Sequence, residues 1–493
     1  MSSILTNSSA MVALQTLKSI NTNLAKTQNE ISTGKSVATA KDNSAVWAIS
    51  KVMEADVNGF TAISDSLALG ESTLAVARQA SETVTDLLTQ MKGKIVAAQE
   101  ENVDRAKLQT DISALRDQVA SVVGAAQFNG LNMVSGTDDV NILSSLDRAS
   151  DGTVTASNIT VSRQDLTTSA GTYGSGTSLS ANATASAAAA VNTANTETLT
   201  IAADADVSGD SFSVSIAGST VSFGAGDLTG DQDAAALAIN NAINALGLEG
   251  ISASVATNVV TISSTRAFEE VSLSALKNGA GTDVTLSATE IAERAENVTF
   301  SASASVNEGD GYRVTVGSDT FTYVAGKGES MEDVARGLKA AVDAGGLSDI
   351  TTQVAQNDSG QWMLKVDNDG SSLAFSVVGA ADGTASGGLF GLGGIDVTTD
   401  SGATAALDNI ETLINTAIDA AADFGSASGR VDTQNEFISK LTDSLKAGIG
   451  ALVDADMEAA SARLQALQVQ QQLGTQALSI ANQAPQNILS LFR

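Results

Sequence analysis

Apolar side chains recur at alternating steps of three and four along both ends of this 493-residue chain. From Phe60 the series runs through Ile63, Leu67, Gly70, Leu74, Ala77, Ser81, Val84, Leu88, Met91 and Ile95. Leu108, Ile112, Leu115, Val119, Val122 and Ala126 repeat the step without a miss. Near the start, Ala10, Ala13, Leu17, Ile20, Leu24, Thr27 and Ile31 keep the same spacing. Toward the other end it returns at Leu407, Ile410, Ile414, Ala417, Ala421 and Phe424, and continues through Ser428, Val431, Asn435, Ile438, Thr442, Leu445 and Ile449 to Leu452, with Ser428, Asn435 and Thr442 the only polar members. A sustained 3.5-residue repeat is the mark of long helices that pack along a narrow seam. At 1.5 Å per residue, a helix from Leu407 to Leu452 would be about 70 Å long, against roughly 30 Å for a small domain. Such helices predict a rod in which segments distant in sequence lie side by side. The single proline, Pro485, leaves them free of internal breaks.

Composition narrows the chemistry. There is no Cys and no His. Disulfide frameworks, Cys/His zinc sites, Cys nucleophiles and Ser-His-Asp triads are therefore excluded. The formal net charge is −30, from 26 basic and 56 acidic residues, and no basic run is present. Nucleic acid and anionic membranes are poor partners for such a chain. The first twenty residues lack the unbroken apolar stretch of a signal peptide, and no 18-residue apolar run suggests a membrane span. The reading is a cytosolic protein, or one exported by a route that does not read a cleavable signal.

The chain divides by composition into helical ends, 1–136 and 401–493, and a Ser/Thr/Gly/Ala-rich middle, 137–400, with strand-like alternation. The expected fold class is α+β. Long terminal helices form a coiled-coil rod, and a central β-rich region holds two duplicated small α+β modules. The duplication is visible in the sequence. Gly209-Asp210-Ser211-Phe212-Ser213-Val214-Ser215-Ile216 returns as Gly309-Asp310-Gly311-Tyr312-Arg313-Val314-Thr315-Val316. Each copy continues into a second strand, a helical pattern (234–246 and 331–344) and paired strands. The modules are set at 194–285 and 294–381. Residues 137–193 are a connecting β-rich segment in which Ala183 to Ala190 is small and featureless, and 382–400 is a flexible Gly-rich connector. The helical parts subdivide into short terminal helices, 1–35 and 460–493, and a rod, 36–136 and 401–459. Short isolated helices barely persist in water, so the terminal pair should order only against other helices, those of neighbouring copies.

Motifs that could carry chemistry reduce to turns. Asp204-Ala205-Asp206-Val207-Ser208-Gly209 resembles the start of a calcium loop, but its twelfth position is Ser215 where an acidic residue is needed. Asp367-Asn368-Asp369-Gly370 reads as a turn between strands. The glycine-rich stretch 387–394 lacks the Lys-Ser/Thr of a phosphate loop. Trp47 and Trp362 read as core or interface residues. No catalytic constellation stands out, so no enzyme, cofactor or metal is expected.

The end motifs carry a family resemblance. Ile31-Ser32-Thr33-Gly34-Lys35-Ser36-Val37-Ala38-Thr39-Ala40-Lys41-Asp42-Asn43-Ser44-Ala45 resembles the N-terminal signature of bacterial flagellins, and Gln127-Phe128-Asn129-Gly130 the element that closes their N-terminal helical part. Asp454-Ala455-Asp456, Gln471 to Leu478, and Ala481 to Arg493 resemble the C-terminal part. The resemblance covers 1–136 and 401–493 but not the middle. It implies a structural subunit that polymerises into the flagellar filament for swimming motility, with terminal helices that fold as they assemble. It further implies an extracellular location, export without a cleaved signal peptide, and a helical homopolymer that can include other flagellins. The implied transient partners are a flagellar export chaperone, hook–filament junction proteins and cap proteins. One departure is notable. The stretch read by the vertebrate flagellin receptor, Gln-Arg-x-Arg-Glu-Leu in responsive flagellins, is here Thr89-Gln90-Met91-Lys92-Gly93-Lys94, as in alphaproteobacterial flagellins. Weak or absent receptor activation is expected.

The residues nominated for the assembly interface are Leu14, Leu17, Ile20, Leu24, Ile31, Leu464, Leu467, Leu473, Leu478, Ile488, Leu489 and Leu491. Those nominated for the rod core are Phe60, Ile63, Leu67, Leu74, Val84, Leu88, Leu108, Ile112, Leu115, Leu407, Ile414, Phe424 and Leu445. Two rival readings stand beside the filament subunit: a hook–filament junction protein with similar ends, and a secreted adhesin whose outer modules bind surfaces.

Overall fold

The computed structural model describes residues 7–149, 153–278 and 283–490, the last seven of these by backbone only. Leu491 lies outside the described residues, as do the side chains of Ile488 and Leu489. Seven helices are described: α1 (Ser8–Thr33), α2 (Ser44–Ala98), α3 (Arg105–Ala125), α4 (Gln232–Ala245), α5 (Met331–Ala344), α6 (Asp400–Val453) and α7 (Met457–Ser490). Helices α2 and α6 run 55 and 54 residues without interruption. The described strands form small antiparallel sheets between residues 127 and 380. Two compact units are distinguished: Met1–Ser72 with Val140–Val161 and Ser426–Arg493, and Thr73–Asp139 with Ser162–Gly425.

In the first unit the early part of α2 and the late part of α6 are joined by a hydrogen bond from Ser64 Oγ to Asn435 Oδ1 at 2.8 Å. After the short hairpin β1 (Gln127–Phe128) and β2 (Leu131–Asn132), the strands β3 (Asp139–Arg148) and β4 (Val154–Ser162) form a second hairpin. Within this unit β3 lies on α2. Gly70, one of the two non-apolar members of the Phe60–Ile95 series, explains how. A Cβ at residue 70 would sit 2.7 Å from Ile142 Cδ1, so only glycine lets the strand approach that face of the helix. Arg148 secures the hairpin by pairing with Asp56 at 2.5 Å.

The second unit holds the other halves of α2 and α6 together with α3. Lys92 pairs with Glu411, and Gln99 Nε2 donates to Ala403 O at 2.7 Å, so α2 and α6 run antiparallel here. Lys94 pairs with Asp111 on α3 at 2.6 Å. Along α2 every member of the Phe60–Ile95 series is buried except Phe60, which is half-buried. Of the proposed rod-core residues, Phe60, Leu108, Leu115, Leu407 and Leu445 are half-buried and the other eight are buried. The C-terminal rhythm runs out at its last member, because Leu452 is exposed and Val453 is buried in its place.

The 382–400 connector is packed. Gly388 N donates to Asp165 O at 2.8 Å and Leu389 N to Thr167 O at 3.1 Å. Leu389, Leu392, Ile395 and Val397 are all buried. The expectation of a flexible linker fails because apolar residues alternate with its glycines and supply core contacts.

The first repeat contributes β5 (Ala183–Ala185), β6 (Ala189–Ala190), β7 (Asn195–Ile201), β8 (Phe212–Ile216), β9 (Ser219–Phe223), helix α4, β10 (Ile251–Ala256), β11 (Val259–Ser264) and β12 (Val271–Lys277). The second contributes β13 (Val284–Leu286), β14 (Glu290–Ile291), β15 (Glu296–Phe300), β16 (Gly311–Val316), β17 (Asp319–Val324), helix α5, β18 (Ile350–Gln356), β19 (Trp362–Asn368) and β20 (Leu373–Ala380). One module has sheets ordered β10-β11-β7-β13 and β14-β12-β8-β9, with α4 packed on them. The other has β18-β19-β15-β5 and β17-β16-β20-β6, with α5 packed on them. The first module therefore runs on to β14, past the bound of 285 expected from the sequence, and the second also takes β5 and β6, which fall in the expected connecting segment 137–193. Residues 183–190, featureless by sequence, are strands because β15 and β20 offer them open edges.

Candidate assembly interface

Most residues of helices α1 and α7 are exposed. The two helices pack on each other, and their polar contacts show an antiparallel pair. Asn7 Nδ2 donates to Ala481 O at 2.9 Å, Gln471 Nε2 to Asn21 Oδ1 at 2.7 Å, and Arg463 lies 3.9 Å from Glu30. The α1 seam faces inward as spaced: Ala10, Ala13, Leu17, Ile20, Leu24 and Ile31 are half-buried and Thr27 is buried. On α7 the inward side is Ala460, Leu464, Leu467, Gln471, Gly474, Leu478 and Ala481, the same alternation of four and three. Gly474 sits at the closest approach. A Cβ there would lie 3.1 Å from Leu17 Cδ1 and 3.7 Å from Ile20 Cδ1. Sequence reasoning expected these helices to order against neighbouring copies. Within the chain each terminus supplies the other with a partner helix, because the two seams have matching spacing and little bulk.

The outward sides carry what is left over. Met11, Val12 and Leu14 on α1 are 57–63% exposed, and Val469, Leu473 and Ile480 on α7 are 56–68% exposed. The nominated residues therefore separate into two groups. Leu17, Ile20, Leu24, Ile31, Leu464, Leu467 and Leu478 lie in the seam within the chain, whereas Leu14 and Leu473 face outward. Met11, Val12, Val469 and Ile480 were not nominated, although their position off the 3.5-residue seam was a readable signal. Elsewhere in the same unit Ile49, Val52, Phe437 and Met457 are also large apolar residues on the surface.

The chain between α1 and α2 fastens to the chain between α6 and α7. Lys35 and Asp454 form an antiparallel bridge. Ser36 N donates to Val453 O at 2.7 Å, and Ala455 N to Gly34 O at 2.9 Å. Asp42 closes the loop by accepting from Thr39 N and Thr39 Oγ1, both at 2.9 Å, and these bonds hold its carboxyl below the usual range. Asp456 caps α7 through the amides of Glu458 and Ala459. Beside this loop runs an open groove of about 1100 Å³, lined by Leu14, Leu17, Lys18, Lys26, Lys35 and Lys41 among others. Glu30 and Asp42 also line it, Lys26 lies 4.0 Å from Glu30 and Lys35 3.6 Å from Glu54, so the four lysines leave the lining with a modest positive excess in a chain of net charge −30.

Other motifs resolve into structure. In the calcium-like loop the cation is Lys277, whose ammonium lies 2.6 Å from Asp204 and 2.8 Å from Asp210. That ammonium holds the Asp204 carboxyl below its usual value. Among the described residues no group of three or more His, Cys, Asp or Glu could hold a metal ion. Lys92 and Lys94, in the stretch 89–94, are both engaged in the ion pairs described above.

The family is established by comparison. Residues 4–139 match the model of the bacterial flagellin N-terminal helical region, and 407–492 that of the bacterial flagellin C-terminal helical region. Flagellin A of Rhizobium meliloti is 30% identical over 494 residues, covering 100% of both chains. Flagellin D of Rhizobium meliloti strain 1021 is 31% identical over 507 residues, again covering 100% of both. Among solved structures, hook-associated protein-3 of Legionella pneumophila aligns with 82% of this chain and 98% of its own at 11% identity; its TM-score of 0.32 is too low to bear on the fold. Similarity along the whole length, together with both helical regions, makes this chain a member of the bacterial flagellins, of alphaproteobacterial type.

Proposed function

We propose that the outward faces of α1 and α7 are the surface through which copies of this flagellin join. As a flagellin it is a structural subunit of the flagellar filament, exposed outside the cell and serving motility. The observation that carries the interface reading is the pair of apolar strips left on helices whose inner seams are already used. A two-helix pair buries one narrow seam, and at roughly 25 cal/mol per Å² such a seam offsets little of the entropy of ordering. Neighbouring copies supply a second seam, so folding of the ends and assembly are coupled. The lysine groove adds a place where acidic surfaces of a neighbour gain rather than lose by approaching.

The finer partners follow from the same surface. A chaperone covering Val469, Leu473 and Ile480 would keep the chain from polymerising before export, which proceeds without a cleaved signal peptide. Junction and cap proteins would meet the same strips at the ends of the filament. The role is scaffolding without catalysis. Seeded polymerisation of the chain trimmed of residues 1–35 and 460–493 tests the interface reading. No addition to seeds is expected, and ordinary elongation by the trimmed chain would overturn it.

A further inference from the structure

Counted with the two short strands that precede each, the repeats run 183–277 and 284–380; on that count the modules exchange their edge strands reciprocally, and the details are the same on both sides. β5, from the first repeat, pairs with β15 of the second through Ala183↔Phe300, Thr184↔Thr299 and Ala185↔Val298. β13, from the second repeat, pairs with β7 of the first through Val284↔Ile201, Thr285↔Thr200 and Leu286↔Leu199. Ser186 Oγ accepts from Asn297 N and donates to Glu296, while Ser287 Oγ accepts from Thr198 N and donates to Glu197. Each donor arm then crosses to its own repeat by a short link, residues 191–194 or 292–295.

The two links run together and are clamped. Asn195 Nδ2 donates to Glu293 O at 2.7 Å, and Arg294 Nη1 to Asn192 Oδ1 at 3.1 Å. Arg294 is also bidentate to Asp367, at 2.7 and 2.6 Å, and Glu293 pairs with Lys365. Both carboxylates and both cations of these pairs are nearly buried. Buried pairs add little net stability but punish any arrangement that separates them, which suits a device for fixing one pairing.

The donors differ in size in the opposite sense to their acceptors. Ala183 and Ala190 enter a core built from Phe300, Tyr312 and Phe375. Val284 and Ile291 enter a core built from Ile201, Phe212 and Leu273. At the directly facing position the pairs are Ala183 with Phe300 and Val284 with Ile201, small against large and medium against medium. Refolding each arm onto its own repeat would place alanines where valine and isoleucine fit, and bulky residues against phenylalanine.

We propose that each module is a receiving site for an extended arm of the other repeat within the same chain. Donor volume against acceptor volume selects that arm over the module's own. The two modules are therefore one reciprocally locked unit, and the tandem repeat is 183–277 with 284–380.

Two measurements on the full-length chain test this, helped by the absence of native cysteine. Cysteines at Thr184 with Thr299, or at Thr200 with Thr285, should oxidise to intrachain disulfides. Pairs Thr184 with Thr200, or Thr285 with Thr299, should not. Bridging of the latter pairs, or bridges that form between two chains, would overturn the proposal. For the volume match, Ala183→Val should lower the urea midpoint read by Trp362 emission in a Trp47→Phe background. Adding Phe300→Ile, which recreates the Val284–Ile201 pair, should restore most of the loss. Strictly additive losses would show that volume does not choose the donor.

Discussion

Lys35 and Asp454 lie near opposite ends of the sequence and meet as an isolated antiparallel bridge. Both belong to stretches that resemble flagellin signatures, and the bridge shows why two such distant motifs belong together. They are the two sides of one junction, through which each terminal helix leaves the longer helix beside it.

This junction predicts the effect of Ser36→Pro. Proline removes the amide that donates to Val453 O at 2.7 Å. A lost backbone bond of this kind costs about 0.5–1.5 kcal/mol. Limited proteolysis should cut between residues 33 and 45 several-fold faster than in the parent chain, with the sheet modules unaffected.

The α1/α7 seam predicts a second pair of variants. Gly474→Val places a branched side chain where a single Cβ is already 3.1 Å from Leu17 Cδ1. Overpacking of this kind costs typically about 1–3 kcal/mol. Leu17→Asp removes the partner from the other side and puts a charge into the seam. Both should lower helical content by circular dichroism at 25 °C and slow polymerisation. The equivalent charge at Leu24 or Leu478, both half-buried in the same seam, should act alike.

Glu329 predicts a pH dependence for the second module. Burial raises its carboxyl above the ordinary value of 4.5, and the Gly326 backbone and the Tyr323 hydroxyl offset only part of this. Tyr323 Oη donates to both carboxylate oxygens, at 2.8 and 2.9 Å. The folded chain therefore holds this proton more tightly than the unfolded chain. Its contribution to stability falls as pH rises from 4.5 through the folded value, and the cost is complete above that. Glu329→Gln should flatten this slope and raise the urea midpoint of Trp362 emission at pH 7.

Charge predicts how assembly responds to salt. Copies carrying −30 repel one another at low ionic strength. Raising salt from 0.01 to 0.15 M shortens the screening length from about 30 to about 8 Å. The lag time of seeded assembly, followed by light scattering, should shorten over that range.

The helices were legible because one physical pattern runs through them without conflict. Ile63, Leu67, Leu74, Val84, Leu88, Met91 and Ile95 are spaced for one face, and all are buried. The duplicated modules were legible as strands and a helix, but their pairing was not. Ala183 to Ala190 has no alternation of its own and becomes strand only through edges supplied by residues over a hundred positions away. The connector was misread as flexible because its glycines drew attention from Leu389 and Leu392. At the interface, the seam periodicity located Leu17 and Leu24. It did not show that the opposite terminus lies in that seam, and attention to the seam passed over Met11, Val12, Val469 and Ile480, whose off-seam positions leave them exposed.

The most direct measurement is seeded polymerisation of the Leu14→Glu/Leu473→Glu double variant, scored by electron microscopy and sedimentation alongside circular dichroism of the monomer. Both side chains are 57% exposed, so the monomer should keep its helical signal while filaments fail to grow. Filaments of ordinary length and yield from this variant would contradict assembly through the outward faces of α1 and α7.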